Sequence, residues 1–307
     1  MKKLSKESFQ RTKSFIFTNG RILDQRLFEF YFEHGSKESV IEALRAYQNE
    51  DGGFGQALEP DLRSPLSTVY TTSQGLFILR EIGATLEESI VRNAINYLLE
   101  NYEEGNSIWS IIPQDALEAP HAGHWDEIIE KEFDDFFINM RAGLAGHFWH
   151  YKELVPEGFA EQITTEVMET LLATPDENLG WIFDLWSYLG LMNTHGLPEN
   201  FKQALFEKLS QVIPKKVEKN PDKWTMMSVS PLNMAPTPDS PMTTFIDSKY
   251  IEKNLVYDID QQLPDGTWAL DWSWEKDDPE AWAIAEKEWK AHLAIGKLRT
   301  LQAYGRI

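Results

Sequence analysis

The sequence predicts an all-α protein built as a closed ring of helix pairs, and three observations carry that expectation. Helical periodicity runs through almost the whole chain, with very little of the period-two alternation of Val, Ile and Thr that strands require. A short phrase, Gln-x3-Gly-x-aromatic, occurs twice far apart, at Gln48, Gly52 and Phe54 and again at Gln262, Gly266 and Trp268. Looser copies lie between them, so aromatic positions 54, 109, 181, 224 and 268 recur at about the length of one helical hairpin with its connections.

Taken in order, amphipathic stretches cover Ile22 to Phe32 and Lys37 to Tyr47, and the first phrase ends that pair. An acidic loop through Glu59, Asp61 and Arg63 leads into Ser67 to Ile82, followed by Leu86 to Leu99 and the looser copy from Asn101 to Trp109. A proline- and histidine-bearing loop precedes Trp125 to His150, Gly158 to Leu172 follows, and the Pro175-Asp176 turn introduces Gly180 to Met192. Glu199 to Val212 ends before the copy at Trp224, and Ser248 to Gln262 runs into the second clear phrase, after which Pro279 to Tyr304 closes the chain. The breaks are rich in Pro, Gly, Asn and Asp, which is ordinary turn chemistry. The phrase itself has a physical reading: glutamine ends a helix with an amide free to bond exposed backbone, glycine allows the positive φ of the turn, and the ring covers neighbouring helix ends.

At 307 residues the chain is long enough to bury roughly three quarters of its unfolded surface, and no break is long or simple enough for a linker, so one domain covers 1–307. With 49 acidic against 29 basic residues the formal net charge is −20, a surface that repels phosphate backbones and anionic headgroups. Nucleic acid and membrane surfaces are therefore poor partners, and no feature points to a protein partner. The absence of cysteine excludes disulfides, thiolate metal sites and a cysteine nucleophile. No apolar run has the length of a membrane span or a signal peptide, and the cytoplasm is the expected compartment. No phosphate loop, dinucleotide fingerprint, zinc-protease motif or nucleophile elbow is present, so no cofactor is expected.

The two clear phrases and their looser copies resemble the QW repeats of the terpenoid cyclase and protein prenyltransferase superfamily, squalene-hopene cyclases among them. That resemblance implies an α/α toroid in which the segment after each repeat starts an inner helix facing a central cavity. The run from Gly53 through Glu59 and Asp61 to Arg63, followed by Ser67 to Gln74, is similar to that layout of turn, acidic loop and inner helix. The catalytic motifs diverge. Where class II cyclases carry Asp-x-Asp-Asp, this chain reads Glu59, Pro60, Asp61, Leu62 and Arg63, and only Asp61 matches. Asp258-Ile-Asp260-Gln261 reads as a solvated helix face. Phe133-Asp134-Asp135-Phe136-Phe137 begins like an ionisation-type synthase motif but lacks the third aspartate of the magnesium site, and the prenyltransferase zinc set needs a cysteine. No metal ligand set is expected.

In a toroid the loops after the repeats gather around one mouth of the cavity, which brings distant residues together. Glu59, Asp61 and Arg63 come from the first loop, His121, His124 and Trp125 from the second, Asp239 from a later one, and Asp271, Trp272 and Trp274 from the last. His124 and His121 can serve as general acid or base with a carboxylate such as Asp61 orienting them, or they can cap helix ends and bond loop backbone; both readings stand. Asp61 and His124 are the expected acid–base partners, with Glu59 and His121 in support and Arg63, Trp125, Asp239, Asp271, Trp272 and Trp274 around the ligand. His147 and His150 share a helix face with Phe148 and Trp149 between them and read as packing.

Three function classes follow. The resemblance implies a small-molecule enzyme acting on an isoprenoid or similar hydrophobic ligand. Paired carboxylates on helix rings also serve carbohydrate chemistry, for which Glu59, Asp61, Asp239 and Asp271 are candidates. A non-catalytic binding or scaffold toroid is the third.

Overall fold

A computed structural model describes residues 1–104, 108–130 and 136–307, with side chains except at 108, 128–130 and 136–139. The chain is predominantly helical, with α1 (Lys6–Asn19), α2 (Ile22–Phe32), α3 (Lys37–Arg45), α4 (Val69–Glu81), α5 (Ser89–Glu100), α6 (His124–Glu130) and α7 (Phe136–His150) in its first half. α8 (Phe159–Ala173), α9 (Ile182–Met192), α10 (Glu199–Lys216), α11 (Pro231–Met234), α12 (Ser248–Asp260) and α13 (Pro279–Ala303) follow. Among the described residues the strand content is one antiparallel pair, β1 (Tyr102–Glu103) and β2 (Ile108–Trp109), with Tyr102 opposite Trp109. Local chemistry sets the helix starts: Ser5, Ser36 and Thr68 each accept the backbone N–H three residues on, and Asp278 does so ahead of Pro279.

The helices depart from the expected pattern at α1, at α6 and α7, and at the short α11, which the periodicity did not mark. α1 was hidden by its composition, because its buried positions are Thr12 and Ile16 and a threonine does not register as an apolar repeat. Thr12 is nevertheless fully enclosed, with its hydroxyl donating to the Gly266 carbonyl at 2.6 Å. The single helix expected from Trp125 to His150 is α6 and α7; Phe133, Asp134 and Asp135 of the acidic phrase lie outside the described residues.

The two Gln-x3-Gly-x-aromatic phrases fold into the same turn, bond for bond. In the first, Gly52 N–H donates to Asn49 O at 3.0 Å and Asn49 N–H to Gly53 O at 2.9 Å; in the second, Gly266 N–H donates to Leu263 O at 2.9 Å and Leu263 N–H to Thr267 O at 2.8 Å. Each aspartate before the glycine, Asp51 and Asp265, accepts the N–H two residues on. Each glutamine amide donates to its own turn, Gln48 to Gly52 O and Gln262 to Gly266 O, and then reaches a second helix. Gln48 bonds Ile90 O in the first turn of α5, and Gln262 bonds Ser8 O and Thr12 Oγ1 in α1. The rings do matching work: the Trp268 indole donates to Asp258 O in the last turn of α12, and Trp109 does the same for Leu98 O in α5, each pairing a carbonyl that the helix end leaves open. Trp181 does not share this role; it precedes α9 and is 51% exposed.

Gly52 and Gly266 sit at φ +88° and +90°, and a Cβ on Gly266 would lie 2.3 Å from Thr12 N. Gly266→Ala is expected to cost at least about 2 kcal/mol, combining left-handed strain with a clash against α1 backbone. Urea denaturation of the variant measures it, and a change below half that value would mean the turn relaxes freely away from α1.

Helix packing joins the chain's first and last elements. α13 packs on α1 and α2, α4 on α5 and α7, and α7 on α8 and α9, while Leu4 N–H donates to Arg306 O at 2.8 Å. Buried apolar residues from Leu4 to Leu301 form one cluster. Asp258, expected on a solvated face, is instead buried and paired with Lys297 Nζ at 2.8 Å, because α12 turns that side toward α13; Asp260 does lie outside, paired with Lys2. No described helix is long and apolar enough to cross a membrane.

Candidate functional site

The acidic loop after the first turn is held from three sides. Its start is braced by Arg21, whose guanidinium donates to Leu58 O at 2.8 Å while locked against the fully buried Asp24 at 2.8 and 3.0 Å. Gln56 and Ala57 both adopt left-handed backbone, φ +55° and +57°, just ahead of Glu59. Such conformations cost non-glycine residues roughly 1–2 kcal/mol each and persist only where the surroundings impose them. On the second side the loop pairs with the histidine loop: Arg63 N–H donates to Pro120 O at 3.0 Å, Ala122 N–H to Asp61 O at 2.9 Å, and Leu62 bridges His121. On the third side stands the last loop, whose Trp272 and Trp274 indoles both donate to the Asp61 carboxylate, at 3.0 and 2.6 Å. Loops separated by some two hundred residues thus meet at one aspartate.

Glu59 and Asp61 are 2% and 4% exposed, side by side. Asp61 accepts through both oxygens, an arrangement suited to a carboxylate, which has no proton to place. Glu59 accepts the Asp61 N–H at 3.2 Å and the Gln74 amide at 2.5 Å. Burial, and then the neighbouring Asp61 charge, push the Glu59 carboxyl up to about 8, against the downward pull of those hydrogen bonds and of Arg21. Burial and the Asp61 charge thus favour the protonated form of Glu59. Gln74 Oε1 is buried with no hydrogen-bond partner; turning the amide over places that oxygen against Glu59, where it accepts the acid proton.

Around the pair stand aromatic rings. Tyr70, half-buried one turn before Gln74 on α4, has its phenol raised well above its ordinary value by burial and then by the Glu59 and Asp61 charges. Its ring meets buried Trp125 edge-on at 4.9 Å, and Trp272 meets Trp289 at 5.4 Å. Trp289 Nε1 is a second buried polar atom without a hydrogen-bond partner. His124 opens α6 with its ring tilted against that of Trp125 at 4.8 Å; it is exposed, and desolvation lowers its pKa, opposed by Asp61 and Glu127 and aided by His121. His124 is thus neutral near pH 7.

The remaining expected residues divide. His124 feels Asp61 through space and makes no hydrogen bond to it, because the two indoles occupy both Asp61 oxygens. His121 faces away, with Nδ1 2.7 Å from Ala119 O and Nε2 3.2 Å from Asp126, the backbone-bonding role. Arg63 pairs with Glu288 on α13 at 2.8 Å. Asp239 is exposed in the turn between Thr237 and Ser240, and Asp271 accepts the Met226 N–H at 2.7 Å, so neither joins the pair. Gln74, Tyr70 and Trp289 were not anticipated; the available signal was that Tyr70 and Gln74 stand i,i+4 on the helix after the acidic loop.

Comparison with protein-family models and with curated proteins returns no match. The site is therefore read from its own geometry. Among the described residues no group of three or more His, Asp or Glu is arranged to hold a cation. Surface hollows of about 420 and 290 Å³ lie along α1, lined by residues such as Lys6, Arg11 and Asp265, and share no residue with the carboxyl pair. They are shallow and open to solvent, so the carboxyl pair, with its two enclosed acids, is the better candidate.

Proposed function

We propose that this chain is an α/α toroid enzyme that transfers protons to and from a small hydrophobic molecule, with Glu59 as the acid. The toroid is supported by the equivalence of the two turns, by the last turn bracing the first helix, and by the meeting of the loops that follow the turns. The acid–base reading rests on one arrangement: two enclosed carboxyl groups two residues apart, Asp61 taking both indole donors and Glu59 pushed up by burial and by the Asp61 charge. In this scheme Glu59 gives its proton to a substrate double bond, reached past half-buried Tyr70 and Gln74. The His124 imidazole, kept neutral by desolvation, takes a different proton from the resulting cation, and solvent resets both groups. Asp61 keeps its charge beside that cation, and the surrounding rings stabilise it further. This remains in keeping with the resemblance to terpenoid cyclases, in which a protonated carboxylic acid starts the reaction.

A glycoside-cleaving pair fits less well, because its two carboxyl groups stand about 5 to 9.5 Å apart with a sugar between them, whereas here both are enclosed. A non-catalytic toroid is the second reading, favoured by the same enclosure: the pair then serves as a clamp between loops. Incubating the protein with linear isoprenoids in heavy water and reading the products by mass spectrometry separates these. Deuterium incorporation lost in Glu59→Gln is the expected result; no incorporation into any isoprenoid, with both variant and wild type folded, would favour the clamp.

A further inference from the structure

We propose that the accessible face of α4 binds an apolar carboxylate, whose carboxylate group is held by Arg80 and whose apolar body lies over Phe77. Tyr70, Ser73, Gln74, Phe77, Arg80 and Glu81 fall within about one third of the helix circumference; Phe77 and Glu81 are exposed and the other four half-buried. The neighbours flank this face without covering it. α7 reaches it through His147 against Ser73 and Arg80, and α13 reaches it through Arg299, which pairs with Glu81 at 2.5 Å. Between those contacts Phe77 stays 55% exposed, and on α13 a side chain at Gly296 would meet nothing within 4 Å.

Arg80 supplies the charge. Its Nη2 donates to Thr194 Oγ1 at 2.8 Å and its Nη1 lies 3.3 Å from His147 Nδ1, which leaves three of its five N–H donors unassigned. Because Arg80 donates to Nδ1, the His147 proton sits on Nε2 and points to Ser73 Oγ, 2.9 Å away; burial keeps that imidazole neutral. No carboxylate among the described residues pairs with Arg80, although every other arginine held in place by α4 or α13 has one, Arg299 on Glu81 and Arg63 on Glu288. Burial pulls Arg80 down to about 10, so the guanidinium stays charged at pH 7, with Glu81 nearby but no carboxylate bonded to it among the described residues. A planar fork of this kind matches a carboxylate in two parallel bonds. The adjacent Glu81 charge opposes a doubly charged head, which selects carboxylate over phosphate ester. From Arg80 back to Gln74, at the Glu59 acid, α4 advances about 9 Å, the reach required of the apolar body.

The inference rests on the proposed function only for what the far end of the ligand meets, and its test is binding, so either can fail alone. Calorimetric titration of the full chain with decanoate, decanol and decyl phosphate, below micelle formation, is compared between wild type and Arg80→Met. Decanoate is expected to bind and to weaken at least about tenfold in the variant, the effect of losing a charged hydrogen bond. Decanol should show no such difference. Phe77→Glu, at an exposed position that leaves folding intact, should abolish decanoate binding and serves as the deciding variant should Arg80→Met fail to fold. No decanoate binding to wild type, equal binding to both proteins, or an Arg80-dependent preference for decyl phosphate would each overturn the assignment.

Discussion

Wild-type protein should lose stability as the pH rises from 4.5 toward about 8, and Glu59→Gln should remove most of that loss. The folded-state pKa of Glu59 lies above its unfolded value, so between the two the native protein keeps a proton that the unfolded chain has released. Stability from this group is fully present below 4.5 and declines as the pH climbs through the window. The decline approaches about 1.4 kcal/mol per pH unit at its steepest. A glutamine keeps the hydrogen-bond partner Gln74 and has no charge to desolvate, so the variant should exceed wild type above pH 8 by a few kcal/mol. Urea denaturation of both proteins at pH 5, 7 and 9 decides it. Parallel pH profiles would show that Glu59 ionises in place without penalty, and would remove the basis for its role as an acid.

Asp61→Ala should cost roughly 3–5 kcal/mol at pH 7, because it strips the acceptor from two indole donors at once, buried Trp274 and half-buried Trp272, at the junction of three loops. Three loops lose their common tie in that variant, while each hydrogen-bonded turn keeps its own bonds. A double-mutant cycle tests whether the indoles carry the effect. Trp274→Phe should be costly in wild type and much less so in the Asp61→Ala background, giving an interaction energy of roughly 1.5–3 kcal/mol. Additive losses would mean that Trp274 acts through its packing against Trp282 and that Asp61 is held by other groups.

How far each feature could be read from sequence depends on the range of the forces that make it. α2 was legible to the residue, and α13 to within one, because their apolar spacing and end signals are carried by neighbours in the chain. The two turns were legible for the same reason: a glycine at positive φ and an aspartate bonding two residues on are local devices. α1 was not, since Thr12 is a core residue only by virtue of the Gly266 carbonyl that it meets from the far end of the chain. Asp258 was misplaced on the surface because only the packing of α13 brings Lys297 to it.

The site followed the same division. The identity of the acidic loop and its meeting with the histidine and tryptophan loops were legible, since repeated turns imply equivalent loops on one side. Which of their residues converge was not: Asp61 took both indoles, Asp239 and Asp271 stayed apart, and Gln74 entered from the next helix. By itself the sequence determined most of the helices, the paired turns and the acidic character of the loop, all products of short-range backbone chemistry. Only the tertiary structure decided that Glu59 is pushed up, that His124 is pulled down and that Arg80 has no carboxylate bonded to it among the described residues. Each of those states is set by desolvation and by charges brought from distant segments, and neither quantity exists until the chain has folded.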